Sequence, residues 1–142
     1  MRLVLDTAVM VAAIQSNAGA SRRILEAGLE TRFTMLASVP LMIEYQAVLI
    51  RPEHLEASGL TEDDVGVLLD AVAKLVEPVR LAFRWRPVAS DPDDDMVLET
   101  AANGNADGIV TFNTRDFHPQ AGIFGIEVLS PGQALNRMEK QT

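Results

Sequence analysis

The sequence contains no cysteine, two histidines and very few aromatic residues. Without cysteine there is neither a disulfide nor a thiolate metal site, so a bound metal would need oxygen or imidazole ligands. No apolar run is long enough to span a bilayer. The N-terminal segment also lacks the long apolar stretch and cleavage site of a signal peptide. These absences predict a cytoplasmic protein with no membrane partner.

The remaining composition is that of a globular protein. With 142 residues, of which 48% are hydrophobic and 23% charged, residues 1–142 are expected to form a single domain. The net charge of −8 repels polyanions and argues against nucleic-acid binding by a broad basic surface. This objection weakens if the acids gather around divalent cations, because the loaded site is then neutral or positive.

Apolar runs alternate with helical patterns along the chain. Continuous apolar runs predict buried strands at residues 2–6, 32–37, 108–112 and 126–129. Helical patterns cover residues 9–14, 21–29, 40–50 and 61–76, and further helices begin near residues 92 and 131. This alternation predicts an α/β fold, a single-domain α/β/α sandwich with a mainly parallel central sheet.

Two acids follow predicted strands, where the loops of an open parallel sheet gather to bind ligands. Asp6 ends the first strand, and Asp116 comes shortly after the strand that contains Thr111. Each acid taken alone is better explained as a helix cap or a turn residue. Their shared position relative to the sheet is what makes them candidates for a site.

Glu44 lies on a predicted helix between Leu41 at i−3 and Val48 at i+4, so its carboxylate projects from an apolar face. A carboxylate in such surroundings needs a cation, a hydrogen-bond donor or solvent in a cleft. On the residues alone, metal binding and an ion pair with an arginine are equally good explanations.

The densest acidic motif is Asp91-Pro92-Asp93-Asp94-Asp95 at a predicted helix start. N-capping explains Asp91, but four acids exceed what a cap needs, and a divalent cation would relieve their repulsion. We choose Asp94 as the inward acid because it shares a helix face with the apolar residues at i+4 and i+7. Asp91 and Asp95 remain alternatives.

These motifs, in this order, resemble the PIN-domain family, and most closely its branch of VapC-like toxins from toxin–antitoxin pairs. The resemblance covers residues 1–129. It is carried by Leu5-Asp6-Thr7, by Glu44 with Val48-Leu49, by Asp91-Pro92-Asp93-Asp94-Asp95 with Leu98-Glu99, and by Ile109-Val110-Thr111-Phe112-Asn113-Thr114-Arg115-Asp116-Phe117.

The resemblance implies a metal-dependent ribonuclease with Mg²⁺ or Mn²⁺ as cofactor. The implied metal ligands and catalytic residues are Asp6, Glu44, Asp94 and Asp116. The implied supporting residues are Asn113, Thr111, Thr7 and Asp91. The sequence departs from the family pattern at Ala8, where Asn or Ser is usual, and at Asn113, where many members of this branch have Asp.

The implied function is endonucleolytic hydrolysis of RNA phosphodiester bonds by the toxin of a toxin–antitoxin system. Arg115, beside Asp116, is the expected contact to the RNA substrate. A small antitoxin protein and a second copy of the chain, giving a homodimer, are the expected partners. Apolar candidates for such contacts are Leu29, Phe33, Val67 and Leu68, although most of them are expected to pack in the core.

Two alternatives remain. The first is a PIN-like binding module without catalytic activity. The second is a metal-dependent phosphohydrolase that forms an aspartyl phosphate, which needs a second acid near Asp6 and a lysine after a later strand. Because the only lysines are Lys74 and Lys140, this reading is the weaker one. His54, expected in a polar turn, and His118 are interpreted as surface residues.

Overall fold

The computed structural model describes the backbone of residues 1–82 and 92–140, and every side chain in these ranges apart from those of residues 92–95, 116 and 118–120. Five strands form one sheet with the spatial order β3-β2-β1-β4-β5, and every pairing is parallel. The strands are β1 (Arg2–Leu5), β2 (Thr34–Ala37), β3 (Glu77–Pro78), β4 (Gly108–Val110) and β5 (Glu127–Leu129). The predicted α/β fold with a parallel central sheet is confirmed.

Eight helices lie within the described ranges. They are α1 (Thr7–Gln15), α2 (Ala20–Leu29), α3 (Val39–Leu49), α4 (Pro52–Ser58), α5 (Glu62–Leu75), α6 (Pro92–Asn103), α7 (Thr114–Ile123) and α8 (Pro131–Lys140). Six of them correspond to the predicted helical patterns. The exceptions are α4, where a polar turn was predicted, and α7, for which no element was predicted.

Helix α4 replaces the polar turn that was predicted around His54. The helix starts at Pro52, a residue whose fixed φ suits the first helical turn. It ends at Gly59, which has a φ of 74° and so adopts the left-handed conformation that commonly terminates helices. The prediction missed this helix because seven residues are too few to show an apolar period.

Successive strands are added to one side of β1 as far as β3 and to its other side from β4 onwards, so the strand order reverses between β1 and β4. The connections from β1 to β2 and from β2 to β3 run one way, whereas those from β3 to β4 and from β4 to β5 run the other way. Because crossovers between parallel strands are right-handed, opposite directions put the connecting helices on opposite faces of the sheet. Helices α1 to α5 therefore cover one face, where α8 packs against α2, and α6 and α7 pack together on the other.

Capping boxes open helices α5 and α8. Thr61 Oγ1 accepts from the Asp64 backbone N–H at 3.1 Å, and Asp64 Oδ2 accepts from the Thr61 N–H at 3.0 Å. Ser130 and Gln133 make the same reciprocal pair at the start of α8. These local signals were predictable because each involves residues only three positions apart.

Strand β1 lies at the centre of the core. Leu3, Val4 and Leu5 are fully buried, as are Ile109 and Val110 on the neighbouring β4. Leu5 pairs with Val110 in register, so the residues that follow them emerge side by side. The described part of the chain holds no helix long and apolar enough to cross a membrane.

Candidate active site

Asp6 and Thr111 meet where β1 and β4 end. The Thr111 hydroxyl donates to Asp6 Oδ2 at 2.7 Å, and the Asp6 backbone N–H donates to the Val110 carbonyl at 2.9 Å. Both side chains are buried, Asp6 at 7% exposure and Thr111 at 0%. Because the strand order reverses between β1 and β4, these residues occupy the crevice in which open parallel sheets bind ligands.

Asp6 also occupies the N-cap position of α1, but its side chain does not act as a cap. Among the described residues, no backbone N–H of α1 donates to the Asp6 carboxylate. Its oxygen instead accepts the bond from Thr111, which lies 105 positions later in the chain. The carboxylate is therefore held by tertiary structure, which removes the simplest alternative explanation of this residue.

Glu44 and Tyr45, consecutive residues of α3, connect this helix to the same region. The Tyr45 hydroxyl, fully buried, donates to the backbone carbonyl of Leu5, the residue before Asp6. Burial raises the pKa of the Tyr45 phenol, and the negative charges of Asp6 and Glu44 raise it further. Both carboxylates thus lie close enough to the Tyr45 phenol to raise its pKa. Glu44 is half-buried, and its Oε2 atom is shielded from solvent.

The predicted site residues on α6 and α7 are only partly described. Asp94 is the third residue of α6, and Asp116 is the third residue of α7, so both belong to first helical turns. Their side chains lie outside the described part of the structure, as does Asp91 entirely. Their assignment as ligands stays a prediction.

Three further predicted residues follow Asp6 or Thr111 closely in the chain. Thr7, the residue after Asp6, is buried in the first turn of α1. The Asn113 backbone N–H donates to Thr111 Oγ1 at 3.0 Å. Arg115 is exposed and lines a cavity of about 310 Å³ together with Phe112, Asn113 and Thr114.

The apolar residues that were suggested as partner contacts differ in their burial. Phe33 is buried in the core, and Leu29 and Leu68 are partly buried against it. Val67 is exposed on α5. The described exposed apolar surface also includes Val39 and Ile43 of α3, which the sequence had not singled out.

Two residues of interest belong to the motifs quoted above but were assigned no role from the sequence. Glu99 on α6 is fully buried, and its Oε2 atom is shielded from solvent. It stands within an apolar helical run, which is the signal that identified Glu44. Phe112 was predicted to end a strand, but β4 stops at Val110 and the Phe112 side chain is 52% exposed. Nothing in the local pattern distinguishes such a residue from a buried strand residue.

The donor chemistry of the described carboxylates fits a hard divalent cation. Asp6 and Glu44 contribute carboxylate oxygens, the ligands that Mg²⁺ and Mn²⁺ prefer. Within the described side chains, no group of three or more histidines or acids is arranged to hold a metal. A cation held by Asp6 and Glu44 would need further ligands, and the acids of α6 and α7 stay a prediction for that role.

Residues 2–115 match the profile of the PIN domain family. Since the match covers more than half of the chain, the protein belongs to the PIN domain family. Members of this family are generally nucleases and typically use divalent metal ions. A comparison with curated proteins gave no match.

Similar solved structures include a chain from the crystal structure of VapBC2 from Rickettsia felis bound to a DNA fragment from their promoter. The two chains are 17% identical, and the alignment covers 92% of this chain and 98% of that chain with a TM-score of 0.61. At this identity the likeness concerns the fold, and it agrees with the parallel sheet described above.

Tyr45 should resist ionisation in the folded protein. Its contribution to stability is fully present below the unfolded pKa of about 10 and is lost as the pH rises from there towards the higher pKa of the folded state. The chain has a single tyrosine, so phenolate absorbance measured in chelator reports on Tyr45 alone. The native protein should show no phenolate at a pH where the urea-unfolded protein is ionised. Equal titration curves would contradict the buried position of Tyr45.

Thr111→Val should destabilise the protein, since Val keeps the shape of Thr but removes the hydroxyl that donates to buried Asp6. Urea denaturation should give a loss of about 1–3 kcal/mol in the free energy of unfolding. Thr111→Ser, which keeps the hydroxyl, is the matched control and should retain most of that difference. Equal losses for Val and Ser would mean that the methyl group matters and the hydrogen bond does not.

Proposed function

We propose that this protein is a metal-dependent endoribonuclease and the toxin of a toxin–antitoxin pair. Asp6, Glu44, Asp94 and Asp116 are its catalytic metal ligands, supported by Asn113, Thr111, Thr7 and Asp91. Arg115 contacts the RNA substrate. The nuclease character of the PIN domain family supports the general activity, and the residues at the end of β1 and β4 support its location.

The observation that carries the proposal is the hydrogen bond from Thr111 to Asp6. It orients a buried carboxylate at the point where the strand order reverses. Keeping a carboxylate charged in such a position is costly unless donors or a cation compensate it. The negative charges of Glu44 and Asp6 both raise the pKa of Tyr45. Two carboxylates near one phenol strengthen the case for a cation.

Mg²⁺ or Mn²⁺ bound by these acids would supply Lewis-acid activation of water near neutral pH. In the hydrolysis, a water oxygen bonds to phosphorus while the bond from phosphorus to one ribose oxygen breaks. Tyr45 stays protonated, so it positions the end of β1 through the Leu5 carbonyl and takes no proton from water. Thr111 fixes the rotation of the Asp6 carboxylate, and Arg115 binds a phosphate of the strand.

The proposal also includes two protein partners, a small antitoxin and a second copy of the chain. The chain with a similar fold comes from VapBC2 of Rickettsia felis, and this likeness supports an antitoxin as partner. On this chain, the exposed side chains of Val39, Ile43 and Val67 provide apolar surface of the kind that protein contacts use. A toxin of this class would act in the cytoplasm, where its RNA substrates are.

Purified protein should cleave single-stranded RNA in Mg²⁺ or Mn²⁺ and lose the activity in chelator. Asp6→Asn and Glu44→Gln should each lower the rate by more than about 100-fold, because losing a ligand costs more than losing one of its supporting groups. Cleavage of labelled RNA and DNA strands, followed on gels, measures the rate and the choice between the two.

Asp70→Asn and Glu56→Gln are the matched controls, since both acids are exposed and lie outside the proposed site. They should cleave RNA at the wild-type rate. A folded wild-type protein that cuts no strand with any divalent cation would overturn the nuclease proposal and favour the non-catalytic binding module. Cleavage that survives Asp6→Asn would place the chemistry elsewhere.

The toxin role has its own test. Induced expression of the wild-type chain in a bacterial host should arrest growth, and Asp6→Asn, expressed to the same level, should not. Colony counts after induction measure the effect, and Asp70→Asn should be as toxic as the wild type. Equal arrest by Asp6→Asn would show that toxicity does not come from the proposed site.

A further inference from the structure

We infer that Phe112 is a stacking platform for a nucleobase of the RNA strand, and that the cavity beside it holds the nucleotide next to the cleaved bond. This inference rests on the proposed ribonuclease function. It adds a substrate contact that lies outside the acidic cluster and the Arg115 phosphate contact.

The exposure of Phe112 is the first observation. Phe33 and Phe117 are buried in the core at 5% and 0% exposure, whereas Phe112 is 52% exposed. Phe112 is thus an aromatic ring left open to solvent beside the candidate site. Aromatic rings in such positions bind single-stranded nucleic acids because every base has a flat face on which it can stack.

The position of Phe112 is the second observation. The hydroxyl of Thr111, its neighbour in the chain, donates to Asp6 Oδ2 and also accepts from the Asn113 backbone N–H. Phe112 is the residue enclosed between these two bonded neighbours. The aromatic ring therefore belongs to the residue directly after Thr111, whose side chain orients a proposed metal ligand. The proposed platform and the group that orients Asp6 are thus held on the same short segment of the chain.

The cavity is the third observation. Its volume of about 310 Å³ is within the range of small-ligand pockets, and it is lined by Phe112, Asn113, Thr114 and Arg115. This lining combines an aromatic face, an amide and a hydroxyl for the polar edges of a base, and a guanidinium for a phosphate. In a chain with a net charge of −8, an exposed arginine beside an aromatic ring favours a nucleotide over a purely apolar occupant.

The test measures the affinity of Asp6→Asn protein, which should not cleave, for a short labelled single-stranded RNA by fluorescence anisotropy. Adding Phe112→Ala should weaken binding by about ten-fold, the usual cost of losing one stacked base. Adding Phe112→Trp instead should leave the affinity for RNA at least as high as that of the Asp6→Asn protein. The control is Ile123→Ala, which truncates an exposed apolar residue on α7 and should leave the affinity unchanged.

An RNA strand with abasic sites in place of its bases separates stacking from other roles. Asp6→Asn proteins with and without Phe112→Ala should bind this strand equally, because it has no base to stack. A ten-fold loss that persists on the abasic strand would overturn the inference, as would an unchanged affinity of Phe112→Ala for normal RNA. The same strands made as DNA show whether the platform also accepts deoxynucleotides.

Steady-state cleavage by otherwise wild-type protein keeps the two proposals distinguishable. Phe112→Ala should raise KM for RNA by about ten-fold and change kcat less. Metal-dependent cleavage with an unchanged KM in Phe112→Ala would refute the platform and leave the ribonuclease proposal standing. A wild-type protein that neither binds nor cleaves RNA would refute both.

Discussion

The order of the strands reverses direction between β1 and β4, and the position of every described site residue depends on that reversal. Helices on either side of the reversal cover opposite faces of the sheet, so the ends of these two central strands face a crevice that neither layer fills. Asp6 and Thr111 are the first residues to enter this crevice. Helix α3 adds Glu44, whose neighbour Tyr45 is bonded to the last residue of β1.

The Thr111 hydroxyl links two parts of this crevice. As a donor it orients the Asp6 carboxylate, and as an acceptor it holds the backbone of Asn113. The aromatic ring of Phe112 is carried on the short segment between these contacts. Rigid placement of this kind would matter for the proposed hydrolysis, because reaction rates are sensitive to small displacements between catalytic groups and substrate.

Concentrating acids at one edge of the sheet has an energetic cost. The chain carries a net charge of −8, and the charges of Asp6 and Glu44 act on the same buried phenol. Glu99 on α6 is a further acid, and it is fully buried. A divalent cation bound at the proposed site would offset part of this repulsion and stabilise the folded state by mass action.

Local sequence patterns alone predicted four of the five described strands and most of the described helices, because each of these depends on residues a few positions apart. The acidic motifs and their order also indicated the PIN domain family and singled out Asp6 and Glu44. Only the tertiary structure decided that Asp6 accepts a hydrogen bond from Thr111, 105 positions away. It also decided that Phe112 is exposed while Glu99 is buried. Such facts follow from strand register and from the packing of helices on the sheet, which bring together residues that no local pattern relates.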